Sequence, residues 1–381
     1  MPIHFYSPEN VPEAVLSFWR TEGVRQDQIG YFTRSYEWFS MMASDTRRHA
    51  IVVVIEDDKG SCLGIMPLFS CSQSLGAGRG RKGFYRRLNG LRMCGGDYIG
   101  PDMSVPLLTE LITAIFGKYP DIDVLNMDHV ISGARSDGII KACAQNAQFF
   151  AYQSRAQMPH YRLVFPEDRE KMSFRSAKSI SRMLGKEHAL AKHVGAECKV
   201  IEIRDRNTCS KYGEAITSLI RETWQAEQLG HIFSVDEANE VADRGWLRSF
   251  LLLAGDQAAA FTLCYQGMGT LMYERIGYSP KFARHSPGIL LLYKILERLW
   301  MDDEVRFVDF GVGEAVYKQK AANDTIYIDA ILVIRNCVSL RLLVAFARIS
   351  NSVIRTGKRI LGLSERFMGK IRKLRVKNSR G

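Results

Sequence analysis

Two apolar patterns alternate along the chain. Short β-branched runs bounded by turn residues read as strands, and longer stretches with apolar residues every three or four positions read as helices. In the first half a polar helix and an aromatic segment (36–42) come first. Residues 50–56 then form a nearly continuous β-branched run, Asp57 to Gly60 make a turn, and 62–69 return, which predicts an antiparallel hairpin. Strands near 87–93 and 123–128 follow, with helices over about 105–116 and 134–145. The second half has the same grammar. It predicts a strand at 161–165, a basic helix at 174–193, a strand at 198–203 and helices at 209–229 and 236–244. A hairpin (247–253 with 258–265) and a strand at 270–276 come next. An apolar helix then runs to about Trp300, a strand covers 305–310, a loop carries Tyr317 and Lys318, and a last strand covers 326–334.

Hairpin, helix and strand in both halves predict a duplicated α/β unit with mixed sheets flanked by helices. No sequence-level repeat accompanies it, so the duplication rests on element order. The expected division is 1–158, 159–336 and a tail, 337–381.

The chain has 381 residues, 46% hydrophobic and 24% charged, which supports a sizeable core. Its net charge of +11 is uneven. Residues 335–381 hold thirteen Lys and Arg against one acid, Glu365, and the rest is close to neutral. That weakens a nucleic-acid reading of the fold, and no nucleic-acid partner is expected. The tail also spaces Leu340, Leu343, Val344, Ala347 and Val353 at broadly helical intervals among basic residues. It reads as a basic amphipathic segment, either packed on the body or touching anionic lipid or an acidic partner such as a synthase.

The eight cysteines form no Cys-x-x-Cys pair and no His cluster accompanies them, so reduced core thiols are expected. No secretory leader pattern and no bilayer-length apolar run is visible. The expected location is the cytoplasm, with the tail allowing contact with the inner face of the membrane. No zinc, EF-hand or other metal motif occurs, and no metal is expected.

The chemistry concentrates in the second half. Ser286-Pro287-Gly288 reads as a helix start, with Ser286 as cap, Pro287 at the first position and Gly288 allowing close approach. A helix N-terminus beside a strand end suits a phosphate-bearing ligand, so Ser286, Gly288 and Ile289 are candidate carrier-binding residues. His285 just before it would be held neutral by the helix's positive end. Asp309 ends an apolar strand, where it either accepts hydrogen bonds or acts as a base. Glu274, beside Tyr273, is either a general base or a surface ion-pair partner. Arg81 and Lys82 lie in a basic loop that either clamps a phosphorylated acceptor or is simply solvated.

The combination of Gly245-Trp-Leu-Arg, Ala258-Ala-Ala-Phe, His285-Ser-Pro-Gly288, Asp309-Phe-Gly311 and Tyr317-Lys318 resembles the CelD-type acetyltransferases. These are bacterial polysaccharide-biosynthesis members of the GNAT superfamily. Weaker echoes occur at Trp38-Phe39, residues 64–69 and Asp97-Tyr98, so the resemblance spans roughly 30 to 335. It implies a tandem GNAT fold related to the Fem-type aminoacyl transferases, with the acyl-carrier site in 159–336. It also implies transfer of an acetyl group from acetyl-CoA to a sugar or cell-envelope precursor. Lys318 is implied to stabilise the developing oxyanion, and Tyr317 and Tyr273 to contact substrate. The chain departs from the pattern at Val312, where related proteins commonly carry a basic residue, and the simple GNAT phosphate loop is missing. Two other readings remain: a Fem-like transferase using aminoacyl-tRNA, and a non-catalytic accessory protein of a polysaccharide synthase.

Overall fold

The computed structural model describes residues 1–23, 32–44, 49–77, 84–169, 176–222, 235–350 and 352–353. The first half comprises β1 (Ile3–Tyr6), α1 (Glu13–Glu22), α2 (Tyr36–Ala43), β2 (Ala50–Glu56), β3 (Cys62–Ala77) and β4 (Phe84–Met93). It continues with α3 (Val105–Lys118), β5 (Val124–Ile131), α4 (Ala134–Ala144) and β6 (Phe149–Val164). A connecting helix, α5 (Ala177–Val194), leads into the second half. That half comprises β7 (Cys198–Ile203), α6 (Arg206–Glu222), α7 (Val235–Asp243), β8 (Ser249–Ala254), β9 (Gln257–Gly267) and β10 (Thr270–Tyr278). It ends with α8 (Pro287–Trp300), β11 (Phe307–Val312), α9 (Val316–Ala321) and β12 (Asp324–Arg335).

Among these elements the succession βααβββαβαβ occurs twice, as the element order predicted. The strands form one twelve-stranded mixed sheet, ordered β1-β2-β3-β4-β5-β12-β6-β11-β10-β9-β8-β7. Only β4–β5 and β10–β11 are parallel, and each parallel pair is joined by a crossover helix, α3 or α8. The last strand of each half sits in the other half's sheet: β12 pairs with β5, β6 pairs with β11, and β6 and β12 join in the middle.

Two expectations change here. The strand expected at 161–165 is the end of a sixteen-residue strand, β6, which runs across 158/159. The polar stretch Gln153–Gln157 masks its first part in the sequence. Gln157 takes φ +49 at an irregularity in the ladder, and its N–H is held by Asp329 Oδ1 at 2.7 Å. The expected loop around Lys318 is instead a short helix, α9, and a strand, β1, precedes the first helix.

Both faces of the sheet are covered, which explains the unbroken apolar run of β2. Ile51, Val53 and Ile55 pack under α3 and α4 with Leu108, Ile112 and Ile139, while Val52 and Val54 pack with Trp19 of α1 and Phe39 of α2. In the second half, Leu290, Leu291, Ile295 and Leu299 of α8 lie against Phe250, Leu252 and Val308 on one face. Ile216 and Ile220 of α6 lie against Leu251 and Phe261 on the other. Each such side chain is worth about 1.5–3 kcal/mol when fully buried.

Residues 338–350 are helical. Leu340, Leu343, Val344 and Ala347 are buried against Leu75, Leu88, Leu332 and Ile334. The start of the expected tail is therefore packed on the body, because its apolar stripe completes the first half's sheet face.

Candidate functional site

Strands β10 and β11 pair only over Thr270–Met272 with Phe307–Asp309. Both then bend away. The β9–β10 ladder shifts register between Tyr273 and Arg275, and the β11–β6 ladder shifts between Asp309 and Val312. Gly311 takes φ +67, a left-handed conformation that a Cβ disfavours. The separation opens into a cleft of about 930 Å³ whose wall includes Tyr273, Glu274, Arg275, Asp309, Gly311, Val312 and Lys318. First-half residues complete it, among them Trp38, Phe69, Arg92, Asp128 and His129.

Lys318, in the first turn of α9, reaches back and donates to the Val312 carbonyl at 2.9 Å. Burial lowers its pKa below the ordinary lysine value, against the opposing pull of Asp309 and Glu274. Glu274 lies on the cleft wall with its side chain open to the cleft. Its pKa is raised, first by desolvation and then by Asp309, with Arg275 and Lys318 opposing.

Asp309 is almost fully buried. Its Oδ1 lies 2.6 Å from His160 Nε2 and accepts the Gly311 N–H at 2.7 Å. Burial would raise this carboxyl, but His160, the Gly311 N–H and Arg162 outweigh it and hold the pKa below the ordinary value. An ionised carboxylate can only accept, so His160 Nε2 carries the proton. His160 Nδ1 is buried with no hydrogen-bond partner among the described residues. Nearby His129 is pushed below its ordinary pKa by burial, partly offset by Asp128, with His160 adding to the drop.

His160, on β6, is the residue that sequence reasoning missed. It reads as a lone histidine in an apolar strand, and only the exchange of β6 into the second half sets it beside Asp309. Of the expected site residues, Lys318, Asp309, Glu274 and Tyr273 share the cleft wall. Tyr317 stands behind it with its ring 6.4 Å from that of Tyr273, and burial raises its phenol to about 12. Arg81 and Lys82 lie outside the described residues.

Ser286, Gly288, Ile289 and His285 gather away from the cleft wall, at the N-terminus of α8. Pro287 occupies the first helical position as expected. Ser286 does not cap with its side chain: it takes φ 54, and its hydroxyl meets Lys186 Nζ at 2.8 Å. The His285 ring lies 4.9 Å from that of His193. Desolvation, then His193, Arg284 and Lys186, push His285 below its ordinary pKa, and its Nε2 is buried without a partner. Gly288 faces the Tyr278 ring at the end of β10, where an added Cβ would still have 3.6 Å. From Glu274 to that strand end is about 13 Å at the usual rise per residue.

The first half repeats the strand separation, and residues at its mouth, Arg92, Asp128 and His129, line the same cleft. Pairing of β4 with β5 stops at Arg92 and Asn126, and Arg92 binds Asp128 at 2.6 Å. Arg135, in the first turn of α4, donates to the Tyr98 carbonyl at 3.0 Å, the Gly100 carbonyl at 2.5 Å and Asp102 at 2.8 Å. Its guanidinium also lies 4.3 Å from the Tyr98 ring centre.

Residues 201–319 match the family model described as acetyltransferase (GNAT) domain. No curated protein matches the chain significantly. Among solved structures, FemX is similar with a TM-score of 0.55 at 10% identity, covering 90% of this chain and 99% of that one. A tandem GNAT protein from the clavulanic acid biosynthesis pathway has a TM-score of 0.52 at 12% identity, covering 87% and 98%. A conserved protein of unknown function from Bacteroides thetaiotaomicron also has 0.52 at 12%, covering 88% and 100%. At such identities the likeness is one of fold. The fold is thus a tandem GNAT-like one, and the acetyltransferase (GNAT) domain matched at 201–319 supports GNAT-type acyl transfer in its second half.

Proposed function

We propose that the protein transfers an acetyl group from acetyl-CoA to a sugar or sugar precursor in bacterial polysaccharide biosynthesis, as the CelD-type enzymes it resembles do. The observation that carries this reading is the cleft at the β10–β11 separation, which bears Lys318, Glu274 and the His160–Asp309 pair. The carrier site accordingly lies in 159–336.

The α8 N-terminus fits the phosphate end of the carrier. Gly288 leaves its backbone open, Lys186 supplies charge at Ser286, and the unpartnered Nε2 of His285 can serve a ligand. Ile289, half-exposed beside them, gives the carrier an apolar contact. The arm would run along the unpaired edge of β10 and bring its thioester to Glu274 and Lys318. A nucleophilic hydroxyl or amine entering from the first-half side attacks the thioester carbonyl. Its proton passes to Nδ1 of His160, whose ring Asp309 orients and stabilises as it becomes positive. Lys318 stabilises the oxyanion, and collapse expels the thiolate of the carrier. Glu274 holds the acceptor or relays its proton. Tyr273 and Tyr317, whose pKa values burial raises, stay protonated and donate hydrogen bonds.

A sugar suits the acceptor side. Trp38 and Tyr265 offer rings for stacking, and Asp128, Glu237 and Glu240 offer carboxylates for hydroxyl or amino groups. In this reading the reaction takes place in the cytoplasm, with the tail allowing contact with the inner face of the membrane. Thermal-shift titration with acetyl-CoA, longer acyl-CoAs and aminoacyl-tRNA, followed by mass spectrometry of sugar and nucleotide-sugar acceptors, tests the reading. Stabilisation by acetyl-CoA and acetylated product are expected. Stabilisation by aminoacyl-tRNA and not by CoA would replace it with the Fem-like reading.

A further inference from the structure

The helix over 338–350 has two apolar faces. One, made by Leu340, Leu343, Val344 and Ala347, is buried on the sheet. At 100° per residue, Val338, Leu342, Phe346, Ile349 and Val353 fall on the opposite side, within a sector of about 80°. All five point to solvent, with exposures of 76%, 65%, 46%, 66% and 66%. Phe84, at the start of β4, continues this stripe: its ring lies 5.9 Å from that of Phe346, and it is exposed as well. These six residues are more than a third of the sixteen large hydrophobics exposed among the described residues, so the apolar surface is concentrated here.

The charge around the stripe has one sign. Arg341 and Arg348 flank it, each 5.3 Å from the centre of an aromatic ring, Phe150 and Tyr152 respectively. Arg86 and Arg87 are exposed next to Phe84 and Tyr85. No Asp or Glu occurs in 84–93 or 338–353. An apolar ridge bordered by arginines complements a lipid surface that is apolar beneath and anionic on top. A protein partner would not require this uniform charge.

We propose that the outer face of the 338–350 helix, together with Val353 and Phe84, seats the protein on an anionic membrane surface. The helix lies in the plane of the interface, and because its other face is packed on the sheet, the whole body is held in a fixed orientation. The contact is independent of the acyl-transfer reading, since its readout is binding.

The test is co-sedimentation of the full chain with phosphatidylcholine vesicles, with and without phosphatidylglycerol, alongside light scattering without lipid. Binding to the anionic vesicles that weakens with salt is expected. Leu342→Glu combined with Ile349→Glu should lower it tenfold or more. Arg86→Gln should lower it by about fivefold, from about 1 kcal/mol per basic residue near such a surface. The milder pair Leu342→Ser and Ile349→Ser, with circular dichroism, separates lost binding from lost folding. Absence of binding by the unaltered chain would overturn the proposal. So would full binding by folded variants that is lost only on removing 354–381, which would put the contact in the basic tail. A dimer in solution that the glutamate variants dissociate would make the face a contact between copies and also overturn it.

Discussion

His160 Nε2 and Asp309 Oδ1 lie 2.6 Å apart although 149 positions separate them, because β6 crosses from the first half to pair with β11 in the second. The pair leaves the histidine's other nitrogen without a partner among the described residues, and His160 stands in the wall of the same cleft as Lys318 and Glu274.

If His160 takes the acceptor's proton, His160→Gln should lower kcat by about a hundredfold or more while donor binding by thermal shift is unchanged. Asp309→Asn should cost less, by removing the partner that orients the ring. Steady-state kinetics with saturating donor reads both. A His160→Gln enzyme with normal kcat would remove His160 from the proton path.

The Asp309 carboxyl is held below its ordinary pKa in the fold despite burial. A depressed carboxyl contributes stability above its unfolded value of about 3.9 and loses it as pH falls through the folded value. Below about pH 4 the unaltered protein should therefore lose stability more steeply than Asp309→Asn. Denaturant unfolding at a series of acid pH values measures the two slopes; parallel slopes would contradict a carboxylate held ionised by its buried hydrogen bonds.

Lys318 carries a pKa that burial has lowered from the ordinary lysine value. If its charge stabilises the oxyanion, activity should fall as pH rises through that lowered value. Lys318→Met should lose about ten- to a thousandfold in kcat. Lys318→Arg should keep part of the activity and move the alkaline limb upward, since a guanidinium does not deprotonate in this range. An alkaline limb unmoved by arginine would assign it to another group.

The start of α8 should govern donor affinity more than turnover. Lys186→Ala removes the charge at Ser286 and should raise KM for acetyl-CoA with little change in kcat, and calorimetric titration should show the same loss in Kd. A drop in kcat with unchanged affinity would move the phosphate end of the carrier elsewhere.

Most elements were legible because their apolar periods are strong: β2, α3, α8 and β12 all lie within a few residues of where the pattern predicts them, whereas β3 runs eight residues past its expected end. Ser286-Pro287-Gly288 announced a helix start, although the Ser286 hydroxyl turned out to meet Lys186 instead of capping. Local spacing was misleading where tertiary pairing overrides it. The polar middle of β6 is held in the sheet by β12 and by Asp329, and the segment carrying Lys318 is helical.

Element order alone determined the duplicated α/β architecture, because each element's period reflects which of its faces is buried, and burial is recorded residue by residue. Charge counting likewise located the basic excess at the C-terminus. The site needed the folded chain. Arg135 meets its three acceptors only in the folded chain, and His160 finds Asp309 only through the exchange of β6 and β12. The outward apolar face of residues 338–353 appeared only once its other face was seen packed on the sheet. These are relations between residues far apart in sequence, set by the pairing of twelve strands, and no local pattern of hydrophobic and polar positions encodes them.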